Sequence, residues 1–278
     1  MKTLIFAAGL GTRLKPITDT LPKALVPVCG RPLIEHVAMK LKAAGVNEAV
    51  VNVHHFADKV EDWIAGQDIM QMNVSDERAM LLETGGGILH ARPYLEGCGS
   101  FLVHNVDILS DLDIRWFESQ VRPDALATLL VSERKSSRYL LFDPQTMRLA
   151  GWTNVSTGEV RSPYLEAEHV PETLAGSDGA FEPSRCLRLA FSGIHILSDK
   201  VFDVMQEYVH MAGIRPEFPE GKGTDSAPRF PIMDFYLSVC GTCNIYGVAV
   251  KELKLIDVGK LDTLEQAEKI ATSLRSSQ

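Results

Sequence analysis

Short apolar runs alternate with helically spaced ones through the first 105 residues, and few chain patterns constrain a fold more tightly. Residues 3–7 form a brief apolar run bounded by Gly9, the pattern of a buried strand. Leu33, Val37, Leu41 and Ala44 then recur at helical spacing, and Gly45 closes that run. Residues 48–53 read as a second buried strand, 57–65 as a helix, 70–74 as a weaker strand, 87–95 as a helix and 101–104 as another buried strand. Repeated β-α-β order predicts an α/β fold, a Rossmann-like mixed and mostly parallel sheet flanked by helices. In such sheets ligands bind beyond the carboxyl ends of the strands.

The second half is less regular. Residues 125–132, 138–142, 148–152 and 189–197 read as strands, 232–239 as a helix, 244–250 and 253–258 as strands, and 264–274 as an amphipathic final helix. Residues 154–185 and 213–231 carry Gly and Pro without a period and read as long loops, a type of connection that is usually functional. A chain of 278 residues suits one domain, with an N-terminal half at 1–122 and a second half with the final helix at 123–278.

Bulk properties exclude several classes. The net charge of -8 argues against a nucleic-acid partner, whose backbone needs clustered Lys and Arg. A few cations focused in a cleft still suffice to bind a phosphate. The apolar run after Lys2 is too short for a secretory signal, and no run is long enough to span a bilayer. Five scattered cysteines do not form a disulfide framework, so a cytoplasmic, soluble protein is expected, with a homo-oligomer compatible with it. Cys240 and Cys243 lack the second ligand pair that a zinc site requires and read as two thiols near a helix end.

The segment after the first strand carries the chemistry. Gly9 and Gly11 let backbone N–H groups approach an anionic phosphate. Arg13 offers a forked cation and Lys23 a compact one. Pro16, Pro22 and Pro27 stiffen the loop that holds them. There is no Gly-Lys-Ser/Thr of a P-loop, and Leu14 stands where a dinucleotide fingerprint needs its third glycine.

From Gly9 to Val28 the string resembles the signature of the sugar-1-phosphate nucleotidyltransferase family, G-x-G-T-R-L-x-P-x-T-x-x-x-P-K-x-L-x-P-V, and matches it at each specified position. The resemblance extends in order through most of the chain, more weakly in the middle. It implies the nucleotide-diphospho-sugar transferase fold, with 1–122 as the nucleotide-binding half and 123–278 as the sugar-phosphate half. It implies a nucleoside triphosphate and a sugar-1-phosphate as substrates and Mg²⁺ as cofactor. Arg13 and Lys23 would then be the catalytic cations, and Ala8, Gly9, Gly11 and Thr12 would cradle the nucleotide.

Two carboxylates at strand ends suit magnesium, which takes carboxylate oxygens together with substrate phosphates. The resemblance matches Asp107 to the family's N-x-D element, beside Asn105, and Asp257 to its later D-x-G element. Val106 stands where the family commonly has Gly. Asp111 and Asp113 form a D-x-D, which binds metal in many glycosyltransferases, but a helix cap for residues 114–119 is the favoured reading.

Glu83-Thr84-Gly85-Gly86-Gly87 opens a helix, and its glycines permit close backbone approach. The family uses the corresponding stretch against the nucleobase, which brings Thr84, Gly85 and Gly86 into the expected nucleotide site. This form is similar to the N-acetylmuramate-1-phosphate uridylyltransferase-like and mannose-1-phosphate guanylyltransferase-like branches. Gly193 resembles the family's glycine beside the sugar, whereas His195 reads as a packing residue and His54-His55 as loop. The family's Glu-Lys-Pro sugar-phosphate anchor is replaced by Gly151-Trp152-Thr153-Asn154. Asn154 could bond the sugar or Trp152 stack on it, and Arg138, Arg185 or Lys222 could replace the missing lysine. The expected reaction is attack of the sugar phosphate on a triphosphate, UTP in the first reading and GTP or CTP in the alternative, with mannose-1-phosphate or phosphocholine among the acceptors. A non-catalytic sugar-nucleotide sensor is the rival of a different class.

Overall fold

The computed structural model describes residues 1–216 and 227–275, so Lys222 and part of the second long loop lie outside the described residues. In the first half, β1 (Lys2–Phe6) leads through three short 3₁₀ turns to a two-residue pair, β2 (Pro27–Val28) and β3 (Arg31–Pro32). There follow α1 (Leu33–Ala43), β4 (Glu48–Val53), α2 (Ala57–Gly66), β5 (Gln71–Asp76), α3 (Glu83–His90), α4 (Arg92–Leu95), β6 (Ser100–Asn105), β7 (Ile108–Ser110) and α5 (Ile114–Ser119). The second half supplies β8 (Ala127–Ser132), β9 (Arg138–Phe142), β10 (Leu149–Asn154), β11 (Glu159–Arg161), β12 (Leu187–Ser198), α6 (Val201–Met211), α7 (Ile232–Val239), β13 (Ile245–Ala249), β14 (Leu255–Asp257) and α8 (Leu261–Arg275).

Among the described residues the main sheet has ten strands and is mixed. Strands β5, β4, β1 and β6 lie side by side and parallel. Beyond β6 the direction reverses: β12 runs antiparallel to β6, with Ile194 opposite His104. The twelve residues of β12 serve two sets of neighbours. Its later part pairs with β6 and β8, while Leu187–Leu189 pair with β9, which continues into β10 and β11. The register shifts between Phe191 and His195, where Gly193 takes φ +73°. Glycine adopts that conformation without the steric cost that a β-carbon brings.

Alternation along the buried strands sorts the core onto two faces. Ile5, Val51 and Leu102 pack with residues of α1, α2, α5 and α8. Leu4, Val50 and Val103 point the other way and pack with α3, α6 and α7. His195 lies in this second layer, 2% exposed, with Nδ1 bonded to the Tyr236 hydroxyl at 2.9 Å. Burial lowers its pKa to about 3, so it is a neutral packing residue as its sequence context suggests.

Most elements fall where periodicity puts them, but β11 lies inside the expected loop of residues 154–185, β2, β3 and β7 lie where no element is expected, and α3 and α6 also depart. Helix α3 begins at Glu83, ahead of the expected residue 87, and so includes three glycines. Glycine is a poor helix former, and tertiary packing overrides that preference here. Helix α6 lies on residues for which no element is expected, although Val201, Phe202 and Met205 carry a buried helical face. The D-x-D acts as the cap: Asp113 accepts from Arg115 N and Trp116 N at 2.9 and 3.0 Å. Asp111 Oδ1 accepts from Lys254 N at 3.0 Å, binding the β7 end to the segment before β14. Among the described residues no helix is long and apolar enough to cross a membrane.

Phe101 is fully buried and stacks on Phe202 with ring centroids 5.4 Å apart. Phe101→Ala is expected to cost about 3–5 kcal/mol, read as a lower urea midpoint, because burial is lost and the surroundings relax only partly into the cavity.

Candidate active site

The loop after β1 is folded by its own backbone. Gly11 takes φ +62°, and a β-carbon there would come within 2.8 Å of Thr18 Cγ2. Its carbonyl accepts from Leu14 N and from Thr18 Oγ1, both at 2.8 Å. Leu14 and Thr18 are thereby buried, while Thr12 and Arg13 on the same turn face outward. Pro22 precedes the next turn, Lys23–Leu25, whose Lys23 is only 8% exposed. That ammonium donates to Asp107 Oδ2.

Asp107 follows β6, and Asp257 ends β14. Antiparallel pairing of β7 with β14 sets Ile108 opposite Asp257, and Val258 N donates to the Asp107 carbonyl at 2.8 Å. Two carboxylates far apart in sequence are thus held together by backbone. Asp257 reaches the surface, yet desolvation and then the Asp107 charge hold its carboxyl above the usual carboxylate range, against the opposing pull of Lys23 and Arg13. A β-carbon on Gly259 would lie 2.5 Å from Asp257 Oδ1 and 2.8 Å from Arg13 Nη2. Arg13, Lys23, Asp107 and Asp257 therefore meet at one place. Asn105 lies beside Gly193, whose β-carbon would be 2.7 Å from Asn105 Nδ2.

A cavity of about 370 Å³ opens next to this cluster. Ala8, Gly9, Lys23, Asn105 and Asp107 line it from the β1 and β6 ends, and Leu81, Glu83 and Thr84 from the start of α3. Asn52 and Glu77 line it as well. Burial raises the Glu77 carboxyl to about 7, although Asn52 and the Leu82 amide bond it. Glu83 takes φ +61°, an uncommon conformation for a residue with a β-carbon, and pairs with Arg229 at 3.1 Å.

The geometry sets several of the expected residues apart from the cavity. Gly85 and Gly86 do not line the cavity. Their N–H groups donate to the Phe230 carbonyl at 2.8 and 3.2 Å, so they are not free for a ligand. A β-carbon at Gly85 would fall 2.3 Å from the Phe230 ring, and one at Gly86 2.3 Å from the Pro228 carbonyl oxygen. These glycines admit another stretch of chain. Thr84 does line the cavity, and its Oγ1 accepts from Ile232 N at 2.9 Å. Thr12 and Gly11 shape the loop without lining the cavity. Asn154 Oδ1 accepts from Ser156 N at 3.0 Å in the turn after β10, and Trp152 packs on the apolar core. Arg185 is committed to the Glu172 and Ala175 carbonyls. Sequence reasoning missed Asn52, Glu77 and Leu81. Asn52 gave one signal, a lone amide inside an otherwise apolar strand.

Known proteins resemble this chain over the part that carries the loop after β1. Residues 3–154, which include the signature loop, Asn52, Glu77 and Asp107, match the model of the MobA-like NTP transferase domain. The chain is 44% identical over 136 residues to N-acetylmuramate alpha-1-phosphate uridylyltransferase of Caulobacter vibrioides, covering 47% of this chain and 53% of that protein. It is 36% identical over 126 residues to mannose-1-phosphate guanylyltransferase catalytic subunit beta of Xenopus tropicalis, covering 44% and 34%. The chain thus spans about half the length, or less, of these curated relatives. Its fold is that of HddC from Yersinia pseudotuberculosis, with a TM-score of 0.67 and 22% identity over 96% of this chain and 98% of that one. The apo-UDP-glucose pyrophosphorylase structure superposes with a TM-score of 0.69 and 18% identity, covering 99% of both chains. The match across more than half of the chain makes this protein a member of the MobA-like NTP transferase domain family.

Proposed function

We propose that this protein joins a nucleoside triphosphate, UTP in the first instance, to a sugar-1-phosphate, releasing pyrophosphate, and that it acts in the cytoplasm. The observation that carries this reading is the convergence of Arg13, Lys23, Asp107 and Asp257 beside a cavity lined by Ala8, Gly9 and Thr84. The relative named as an N-acetylmuramate alpha-1-phosphate uridylyltransferase supports the choice of a uridine nucleotide and of a sugar-1-phosphate acceptor. The guanylyltransferase relative keeps GTP as the second triphosphate to test.

The chemistry follows from charge. A phosphate monoester is largely dianionic at neutral pH, so its oxygen can attack the α-phosphorus without a general base. The bond between the α- and β-phosphates breaks, and its electrons leave with pyrophosphate. The protein's part is positioning and neutralisation. Arg13, outward on its turn, is suited to the leaving pyrophosphate, and Lys23 to the α-phosphate region. Asp107 and Asp257 fit Mg²⁺, because two adjacent carboxylates leave further positions for phosphate oxygens and water. Bound there, Mg²⁺ would supply charge neutralisation to the phosphates. Lys23, already bonded to Asp107 Oδ2, holds that carboxylate ready on the cavity wall.

The test is a matrix of four triphosphates against several sugar-1-phosphates and phosphocholine, read by pyrophosphate release. Turnover with a sugar-1-phosphate supports the reading; binding without turnover in Mg²⁺ would favour a sensor. Arg13→Ala and Asp107→Ala should each lower the rate by at least about 10²-fold while circular dichroism stays unchanged.

The crowded carboxylates carry their own prediction. The folded-state pKa of Asp257 lies above its ordinary value, so its ionised form costs stability. That cost is complete above the folded pKa and fades as pH falls toward the unfolded one. Asp257→Asn should therefore raise the melting temperature in metal-free buffer at neutral pH. Its advantage should shrink on acidification, and the variant should lose the Mg²⁺-induced rise expected of the wild-type protein.

A further inference from the structure

The walls of the cavity are joined by a line of hydrogen bonds with one polarity. Ala7 and Ala8, where β1 enters the loop, donate their N–H groups to Asn52 Oδ1 at 2.7 and 3.2 Å. Asn52 Nδ2 donates to Glu77 Oε1 at 2.7 Å. Leu82 N, immediately ahead of α3, donates to Glu77 Oε2 at 3.2 Å. Asn52 and Glu77 are 1% and 2% exposed, so water does not substitute for these partners. Each bond is directed toward Glu77. The two backbone donors dictate which way the Asn52 amide is turned, and Glu77 must then offer acceptors on both oxygens. A β-carbon at Gly87 would approach Glu77 Oε1 to 2.7 Å, so the α3 backbone lies directly against the carboxylate. The Glu77 carbonyl also accepts from His54 Nδ1 at 2.7 Å, which fastens the same residue to the loop after β4.

We infer that Asn52 and Glu77 are positioning residues for the nucleotide: they set the separation between the phosphate loop and the entry to α3, through an amide-then-acid polarity that the backbone donors at both ends impose. This rests on the nucleotidyltransferase reading and deepens it. Both elements contribute to the cavity lining, Ala8 and Gly9 on one side and Leu81, Glu83 and Thr84 on the other. A loosened link would let the walls drift apart, so the ligand that spans them would bind more weakly. Asn52 and Glu77 border the same cavity, and the link they form between its walls takes no part in bond making.

The polarity gives a decisive test. In Glu77→Gln the new Nε2 must face either Asn52 Nδ2 or Leu82 N, a buried donor against a donor. Asn52→Asp sets two carboxylates against each other. The double variant Asn52→Asp/Glu77→Gln restores every bond with acid and amide exchanged. The carboxylate at position 52 accepts from Ala7, Ala8 and the new amide, and the amide oxygen at position 77 accepts from Leu82 N. Affinity for MgUTP and MgGTP is measured by calorimetry, with kcat, KM and melting temperature alongside.

Each single variant should raise the Kd and KM for the triphosphate by about tenfold or more, with kcat moving less, and the double should return to within about threefold of wild type. If a single variant fails to fold, recovery of folding and affinity in the double supports the inference equally. Singles with wild-type affinity would overturn it, as would a double no better than the singles. So would a double that regains its melting temperature but not its affinity, since the pair would then serve stability alone. A wild-type protein that binds neither triphosphate would overturn the underlying reading, and this inference with it.

Discussion

Crowding of like charge organises this molecule. Asp107 and Asp257 stand close enough for one to raise the other's pKa, an arrangement that a protein without other obligations would avoid. It persists because backbone enforces it. The pairing of β7 with β14 and the bond from Val258 N to the Asp107 carbonyl place the carboxylates together irrespective of their repulsion. Lys23 and Arg13 arrive from the opposite end of the chain and offset part of the cost. Helix α8 lies over the same junction, touching both β14 and β7 as well as β2. The final helix is therefore part of the frame around the charges.

Much of this was legible in the sequence. The parallel strands β1, β4 and β6 announce themselves as apolar runs, and the signature loop carries its glycines, prolines and cations in one continuous string. Asp107 and Asp257 could be found because each ends an apolar run and each fits a motif. Their closeness could not be read that way, since it depends on a strand pair formed between remote segments. Asn52 and Glu77 escaped for a related reason. Asn52 is a lone amide in an apolar strand and Glu77 one of several polar residues around the end of β5, and the meaning of each lies in its bond to the other.

The glycines of α3 show where sequence reasoning points in the wrong direction. Three in succession suggest an open backbone waiting for a ligand. In the folded chain that space belongs to Phe230, Pro228 and Glu77, and the Gly85 and Gly86 amides are spent on a carbonyl. A missing side chain signals close approach without saying what approaches. The same ambiguity applies at Gly193, where Asn105 is the neighbour, and at Gly259, where Arg13 and Asp257 are. At Gly11 and Gly193 the local conformation itself also favours glycine, through a positive φ together with the crowding by Thr18 and by Asn105.

The long strand β12 has a consequence for how the polypeptide can be divided. The family match ends at residue 154, yet β6, which delivers Asn105 to the site, has β12 as its partner on one side. A fragment ending before β12 would leave that flank of β6 with unpaired amides and carbonyls, an open seam that invites other strands. The segment recognisable by homology is thus shorter than the segment able to stand by itself. Inheritance and self-sufficiency draw their borders at different points along this chain.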